Sequence, residues 1–336
     1  MYPTVTGNVA AWRNLMYAGI LTAVGSVSTA DAQTVSAVQY PLKTVRVVVP
    51  SAPSGGTDLI ARLTAQKVGE GWGQSVIIDN VAGGGTRIGI LAVAKAAPDG
   101  YTLLLSTTNF AFAPAVYAKL PYDPMTDFVP IVHIANSASL LAVHPSVPAT
   151  NVAQLVALTR ARPAEMRYGY GGAGTVGHLV GALFSLQAGV KFLNVPYKGT
   201  GPAITALLSG EIHLLIVNMA SLLPHVQSGR LRGLAVAGTK RSRIMPQLPT
   251  IAESGVPGYE YSGWYGVWAP AKTPGPIIAK INESYNRVLN DSTVRDRLAD
   301  AAIDIVGGTS EAFFTYVAGE LRKWSRVARE TGIQAE

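Results

Sequence analysis

Cysteine is absent from all 336 residues. That excludes disulfide bridges, thiolate metal ligands and a cysteine nucleophile, and with them the acylated cysteine that would anchor a lipoprotein. Charge is sparse: Asp, Glu, Lys and Arg supply 14% of the chain, against 48% hydrophobic residues. Such a chain has apolar mass for a large core, in one big domain or two medium ones, and does not have the composition of a disordered protein. Its net charge of +7 is scattered, and the densest basic run is Lys240-Arg241-Ser242-Arg243. There is no stripe of cations interleaved with aromatics, so no nucleic-acid partner is expected. A mild attraction for anionic solutes is what the surplus implies. After residue 32, no segment reaches membrane-spanning length without a polar interruption, so no membrane insertion of the mature chain is expected.

Several catalytic signatures are also missing. The chain has no G-x-x-x-x-G-K-[ST] loop and no G-x-S-x-G elbow, and none of its five histidines falls in an H-x-x-x-H or H-E-x-x-H pair. No metal and no cofactor is expected. A serine hydrolase is not excluded by the missing elbow, because triads are assembled in space and not in sequence.

What is present begins with Arg13, an apolar stretch from Leu15 to Val27, and Ala30-Asp31-Ala32. A positive flank, a short hydrophobic region and small residues before a cut are the parts of a signal peptide. Residues 1–32 are therefore expected to be removed after Ala32 and the remainder exported to the periplasm.

From Tyr40-Pro41 onward, apolar strand-like runs alternate with amphipathic helical stretches. Val45 to Val49, Ser75 to Ile78 and Tyr101 to Leu105 read as strands in a first block. Arg167 to Tyr170, Phe192 to Val195, Ile212 to Val217 and Leu231 to Ala237 read as strands in a second. Strict β-α alternation predicts parallel sheets covered by helices, and two blocks predict two lobes. The fold class expected is thus α/β, two-lobed, each lobe a mainly parallel sheet flanked by helices. Leu140 to Val143 would carry the chain into the second lobe and Tyr261 to Trp268 would carry it back. That gives lobe one residues 40–138 plus 262–336 and lobe two residues 139–261, joined by a hinge. A simple tandem without a return crossing is the alternative.

Three strand-to-helix loops are rich in glycine. The first is Pro50-Ser51-Ala52-Pro53-Ser54-Gly55-Gly56-Thr57-Asp58. Free N–H groups at a helix start favour an anion, glycine permits close approach, and Asp58 in the first turn suits the dipole. An ordinary βα turn with a capping acid reads equally well. The second is Asn80-Val81-Ala82-Gly83-Gly84-Gly85-Thr86-Arg87, whose three successive glycines exceed what a plain turn needs. The third, Gly169-Tyr170-Gly171-Gly172-Ala173-Gly174-Thr175, matches the dinucleotide pattern G-x-G-x-x-G. The acidic residue that pattern requires about twenty positions on is missing, since Val195-Pro196-Tyr197-Lys198 stands there. His178, just beyond this loop, is placed either to donate to a ligand carboxylate or to pack.

Together these segments resemble the substrate-binding proteins of tripartite tricarboxylate transporters, the Bug family. The resemblance spans nearly the whole mature chain. It is carried by Gly-Gly-Thr-Asp at 55–58, the Asn80 loop, Ala97-Pro98-Asp99-Gly100-Tyr101-Thr102-Leu103-Leu104, Tyr168-Gly169 with Gly174-Thr175 and His178-Leu179, Val195-Pro196-Tyr197-Lys198-Gly199, Leu248-Pro249-Thr250-Ile251-Ala252-Glu253-Ser254-Gly255, and Trp264 through Pro270. It implies a hinged binding protein that takes a small carboxylate between its lobes and delivers it to large and small membrane subunits of a transporter. By that likeness Pro53, Ser54, Gly55, Gly56, Thr57 and Asp58, with Gly83, Gly84 and Gly85, form a carboxylate clamp. Gly171, Gly172, Ala173, Gly174, Thr175, His178 and Tyr197 close over the ligand from lobe two, and Thr107, Thr108 and Asn218 add polar contacts at strand ends. The chain departs from the family at Val81-Ala82, where a basic residue and proline are usual, at Thr86 for a common glycine, and at His213 for a frequent acid. An enzyme acting on a carboxylate in the same cleft, with Asp58, His178 and Ser54 as partners, and a ligand-sensing receptor are the competing functions.

Overall fold

The computed structural model of the chain describes residues 39–53 and 56–334. The expected signal peptide, residues 1–32, and the loop residues Ser54 and Gly55 lie outside the described residues. The chain runs through β1 (Val45–Val49), α1 (Gly56–Trp72), β2 (Val76–Asn80), α2 (Arg87–Ala94), β3 (Thr102–Thr107), α3 (Asn109–Val116) and β4 (Phe128–Ser137). After Ala138 it enters β5 (Ser139–Val143). There follow α4 (Val152–Ala161), β6 (Arg167–Tyr170), α5 (Val176–Ala188), β7 (Leu193–Pro196), α6 (Thr200–Leu208), β8 (Leu214–Asn218), α7 (Met219–Gln227) and β9 (Arg232–Val236). It returns through β10 (Gly263–Pro270) and ends with α8 (Gly275–Leu289), α9 (Ser292–Asp300), β11 (Ile303–Ile305) and α10 (Ser310–Thr331). Among the described residues, no helix is long and apolar enough to cross a membrane.

Two sheets result, one in the order β11-β4-β10-β3-β1-β2 and the other β7-β6-β8-β5-β9. This is the expected two-lobed α/β fold, but the sheets are mixed and not mainly parallel. β1 runs parallel to β2 and β3, and β6 parallel to β7 and β8, where helical crossovers join them. β10 is antiparallel to β3 and β4, and β5 is antiparallel to β8 and β9. The reason is directional. β3 and β4 end where the sheets meet, while β10 enters its sheet from that end and must run the other way. β5 likewise leaves from that end, so its Ser139 pairs with Asn218 at the end of β8.

The chain therefore passes between the sheets twice, at Ala138 and along 237–262. These passages are bonded together: the Met219 N–H donates to the Ala138 carbonyl at 2.9 Å, Ala237 to Ser139 at 2.9 Å, and Tyr261 to Ala237 at 2.8 Å. The Trp264 N–H donates to Thr108 Oγ1 at 3.1 Å, tying the returning strand to the start of α3.

β1, with the sequence Val-Arg-Val-Val-Val, is buried along almost its whole length because helices cover both faces of the sheet. α10 is amphipathic over 22 residues; Thr309 caps it by accepting from the Ala312 N–H, and left-handed Gly332 ends it. Its apolar face closes an aromatic core in which Trp268 stacks on Phe110 at 4.6 Å and Trp324 meets Phe112 at 4.4 Å. Glu320, 5% exposed, is the polar centre of that core. Its Oε2 accepts the indole N–H of Trp264 at 3.2 Å and of Trp324 at 2.9 Å, and its other oxygen pairs with Lys323.

His133 of β4 is packed among Trp264, Phe313 and Tyr316, with Nε2 2.9 Å from Asn136 Oδ1. Burial pulls its pKa down from 6.5 to about 4, opposed by Asn136 and the Glu320 charge. A depressed folded-state pKa gives stability that is complete above pH 6.5 and lost as pH falls toward 4. Urea unfolding across that interval is expected to lose about 3 kcal/mol through this side chain, and His133→Gln is expected to remove that share of the loss.

Candidate functional site

Where the two sheets face each other, loops at the strand ends enclose a cleft of about 480 Å³. Five helices begin on it. The residues at the N-caps of α2, α3, α5, α6 and α7 are Thr86, Thr108, Thr175, Gly199 and Asn218, and every one of them lines the cleft. Asn218 caps its own helix, its Oδ1 accepting the Ala220 N–H at 2.9 Å. The other four provide no side-chain cap. The first N–H groups of a helix have no partner inside it, and the macrodipole gives them partial positive charge. The N–H groups of Met219, Asn109 and Arg87 are already bonded, to the Ala138 carbonyl, Thr107 Oγ1 and the Gly84 carbonyl, and the positive ends of helices from both lobes are collected in one space.

No Asp, Glu, Lys, Arg or His is among the described residues lining the cleft. The walls are hydroxyls and rings: Ser137 and Ser139 at the first passage, Tyr261, Trp264 and Tyr265 at the second, and Phe112 on α3 with Tyr117 just past its end. Burial raises the phenol pKa values of Tyr261 and Tyr265, so both remain protonated donors at neutral pH. A positive field made of dipoles, surrounded by uncharged walls, is suited to holding an anion without a fixed countercharge.

The residues singled out in the sequence divide into three sets. Gly85, Thr107, Thr108 and Asn218 line the cleft, as do Gly171, Ala173, Gly174 and Thr175 from the third glycine loop. Thr108 is already engaged with Trp264, and the Thr175 hydroxyl donates to the Gly172 carbonyl at 2.7 Å.

A second set stands behind the lining. His178 Nδ1 accepts the Gly174 N–H at 3.3 Å while its ring stacks on Tyr170 at 4.3 Å. Burial lowers its pKa, which keeps the imidazole neutral and able to accept. Tyr197 donates to Glu211 Oε1 at 2.8 Å, and loss of hydration together with that carboxylate pushes its pKa up to about 12. Gly83, Gly84 and Gly172 take positive φ in their loops without reaching the lining.

The third set is on the first loop. Asp58 is buried and bonded to Arg62 at 2.9 Å; with Gly56 it borders a separate groove that also includes Arg297. Gly56 lies near the cleft only through Tyr265, whose hydroxyl would be 3.4 Å from a Cβ there. Pro53 and Thr57 line neither space.

Thr86, Asn109, Tyr117, Ser139 and Tyr261 line the cleft without having been singled out as contacts. The departure at His213 is far from it. His213 precedes β8 and accepts the Arg167 N–H at 2.9 Å, at the opposite end of the strand from Asn218.

Gly171 is more crowded than Gly177 or Gly199, which share the lobe-two wall with it. A Cβ there would lie 3.0 Å from the Thr200 nitrogen and 3.1 Å from the Gly199 carbonyl carbon. Backbone has to give way, so Gly171→Ala is expected to separate the starts of α5 and α6 and lower the melting temperature by several degrees, read by calorimetry.

A family model for the tripartite tricarboxylate transporter family receptor matches residues 60–333. Protein BugT of Bordetella pertussis is 36% identical over 324 residues, which is 96% of this chain and 98% of that protein. Two solved structures are similar over most of their length. R. palustris Rpa4515 with adipate shares 38% identity at a TM-score of 0.76, covering 88% of this chain and 99% of that one. MatC from Rhodopseudomonas palustris with bound malate shares 31% at 0.73, covering 86% and 99%.

Proposed function

The chain belongs to the tripartite tricarboxylate transporter receptor family, and from that premise we propose that it is a periplasmic solute-binding protein that captures a small carboxylate in the cleft. The observation that carries this reading is the convergence of five helix starts, four of whose N-cap residues make no side-chain cap, on a space lined by no charged residue among the described residues. A carboxylate entering it exchanges hydration for charge-assisted N–H and O–H bonds, each stronger than a neutral one. The adipate and malate held by two similar proteins support the same ligand class.

In this reading residues 40–138 with 262–336 form one lobe and 139–261 the other, and the passages at Ala138 and Ser262 act as the hinge. Closure buries the ligand and presents a matched surface to the large and small membrane subunits of a transporter. Gly85, Thr107 and Thr108 contact the ligand from one side and the 171–175 loop and Asn218 from the other. Gly83, Gly84, Gly172, His178 and Tyr197 hold those loops in shape. Pro53 to Asp58 complete the clamp when the lobes close, a role supported by Gly56, which lies next to the Tyr265 hydroxyl. Residues 1–32 direct the chain to the periplasm and are removed after Ala32.

The test is calorimetric titration of residues 33–336, unfolded and refolded to strip carried-over ligand, against malate, adipate, citrate, benzoate and glutamate. Binding of at least one, with the compound recovered unchanged by mass spectrometry, is the expected result. At a hundredfold excess over its dissociation constant a ligand adds about 2.7 kcal/mol of stability, so the melting temperature should rise as well. Silence of a correctly refolded protein across the panel sinks the carboxylate reading, and conversion of a bound compound points to an enzyme.

A further inference from the structure

Thr86 combines three features that the fold does not need. Its backbone is left-handed, with φ 78° and ψ −13°, and it is the last of four consecutive residues of positive φ after Gly83, Gly84 and Gly85. Glycine takes such angles freely, whereas a β-branched residue does so against steric resistance. Its Oγ1 is buried and has no hydrogen-bond partner among the described residues. A threonine at a helix start ordinarily uses that oxygen to cap the first turn, and this one makes no such bond to α2. Yet Thr86 lines the cleft. Strain and an unsatisfied hydroxyl both cost stability, and no hydrogen bond to the Thr86 hydroxyl offsets that cost among the described residues.

The surroundings hold it there. The neighbouring Arg87 is committed elsewhere: its Nε donates to the Gly84 carbonyl at 2.7 Å, and its guanidinium lies 4.0 Å above the Tyr117 ring. The loop is also pressed onto Tyr117, since a Cβ at Gly85 would lie 2.5 Å from the Tyr117 hydroxyl. Arginine, glycine and tyrosine thus brace the turn, with the Arg87 guanidinium committed to Gly84 and Tyr117 and the buried Thr86 hydroxyl left without a partner among the described residues.

We propose that Thr86 is a specificity-determining residue whose hydroxyl donates to a carboxylate oxygen of the bound ligand at the start of α2. The inference rests on the carboxylate reading above. The bond adds a side-chain donor to main-chain donors that accept any anion, and it is made only when a ligand oxygen reaches the left-handed turn.

The experiment compares the native chain with Thr86→Ser, Thr86→Val and Thr86→Gly, titrated with whichever of malate, adipate, citrate, benzoate and glutamate binds the native chain. Serine keeps the hydroxyl and is expected to bind within about twofold of native. Valine keeps the shape without the donor, and glycine removes both; each is expected to weaken binding about tenfold or more, the worth of one hydrogen bond to a charged group. Glycine relaxes the turn, so the unliganded Thr86→Gly protein is expected to melt no lower than native. Native-like affinity in the valine or glycine variant overturns the inference and leaves the carboxylate reading intact. Loss of affinity together with a lower melting temperature in Thr86→Gly overturns it too, by making the residue structural. A native chain that binds none of the five overturns the carboxylate reading, and this inference with it.

Discussion

The first N–H groups of an α-helix have no acceptor within the helix, and something must satisfy them. In this chain the need arises five times around one cleft, and at four of the five helix starts the N-cap side chain makes no bond to the helix. The rest of the architecture follows from that. Parallel βαβ units direct every strand's carboxyl end, and the helix start after it, toward the same edge of the sheet. Two such sheets facing edge to edge bring the helix starts of both into a common space. Charged side chains are then unnecessary: dipoles provide the positive field, and rings and hydroxyls provide the walls.

Holding two such edges opposite each other is the task of the two chain passages. β4 runs into β5 with only Ala138 between them, and the returning strand is bonded back through Tyr261 and Trp264. Trp264 joins several functions. It lines the cleft, its N–H holds Thr108 at the start of α3, and its indole N–H reaches Glu320 on α10. A buried carboxylate shared by two indoles fixes the last helix to the passage, so the core and the rim of the cleft are one bonded unit. Polar groups buried in this way are favourable because every one finds its partner.

The sequence was most legible where local pattern and tertiary position agree. The β-branched run of β1, the amphipathic faces of α8 and α10, and the glycine loops at 83–85 and 171–174 could all be read because periodicity or backbone demand leaves a mark in composition. β4 left no such mark: Pro130, His133 and Asn136 interrupt its apolar run, and its stability comes from lying between β10 and β11. α3 is apolar on all sides and contains Pro114, so it has no face to read. α4 and α9 could have been found, since Asn151 and Asp291 cap them in the ordinary way. At the cleft, residues next to glycine turns were within reach. Ser139, Tyr261 and Tyr117 were not, because strand passage and helix packing bring them there from distant parts of the chain.

The donors at the helix starts around the cleft belong to the main chain, and that has a genetic consequence. A side-chain countercharge can be deleted by a single codon change, but a backbone N–H is lost only to proline. Polarity in this cleft is therefore inherited with the fold, while Phe112, Tyr117, Tyr261 and Thr86 are inherited residue by residue. Descendants of such a gene can exchange their walls freely and drift from one guest to another without ever losing the property of being receptive.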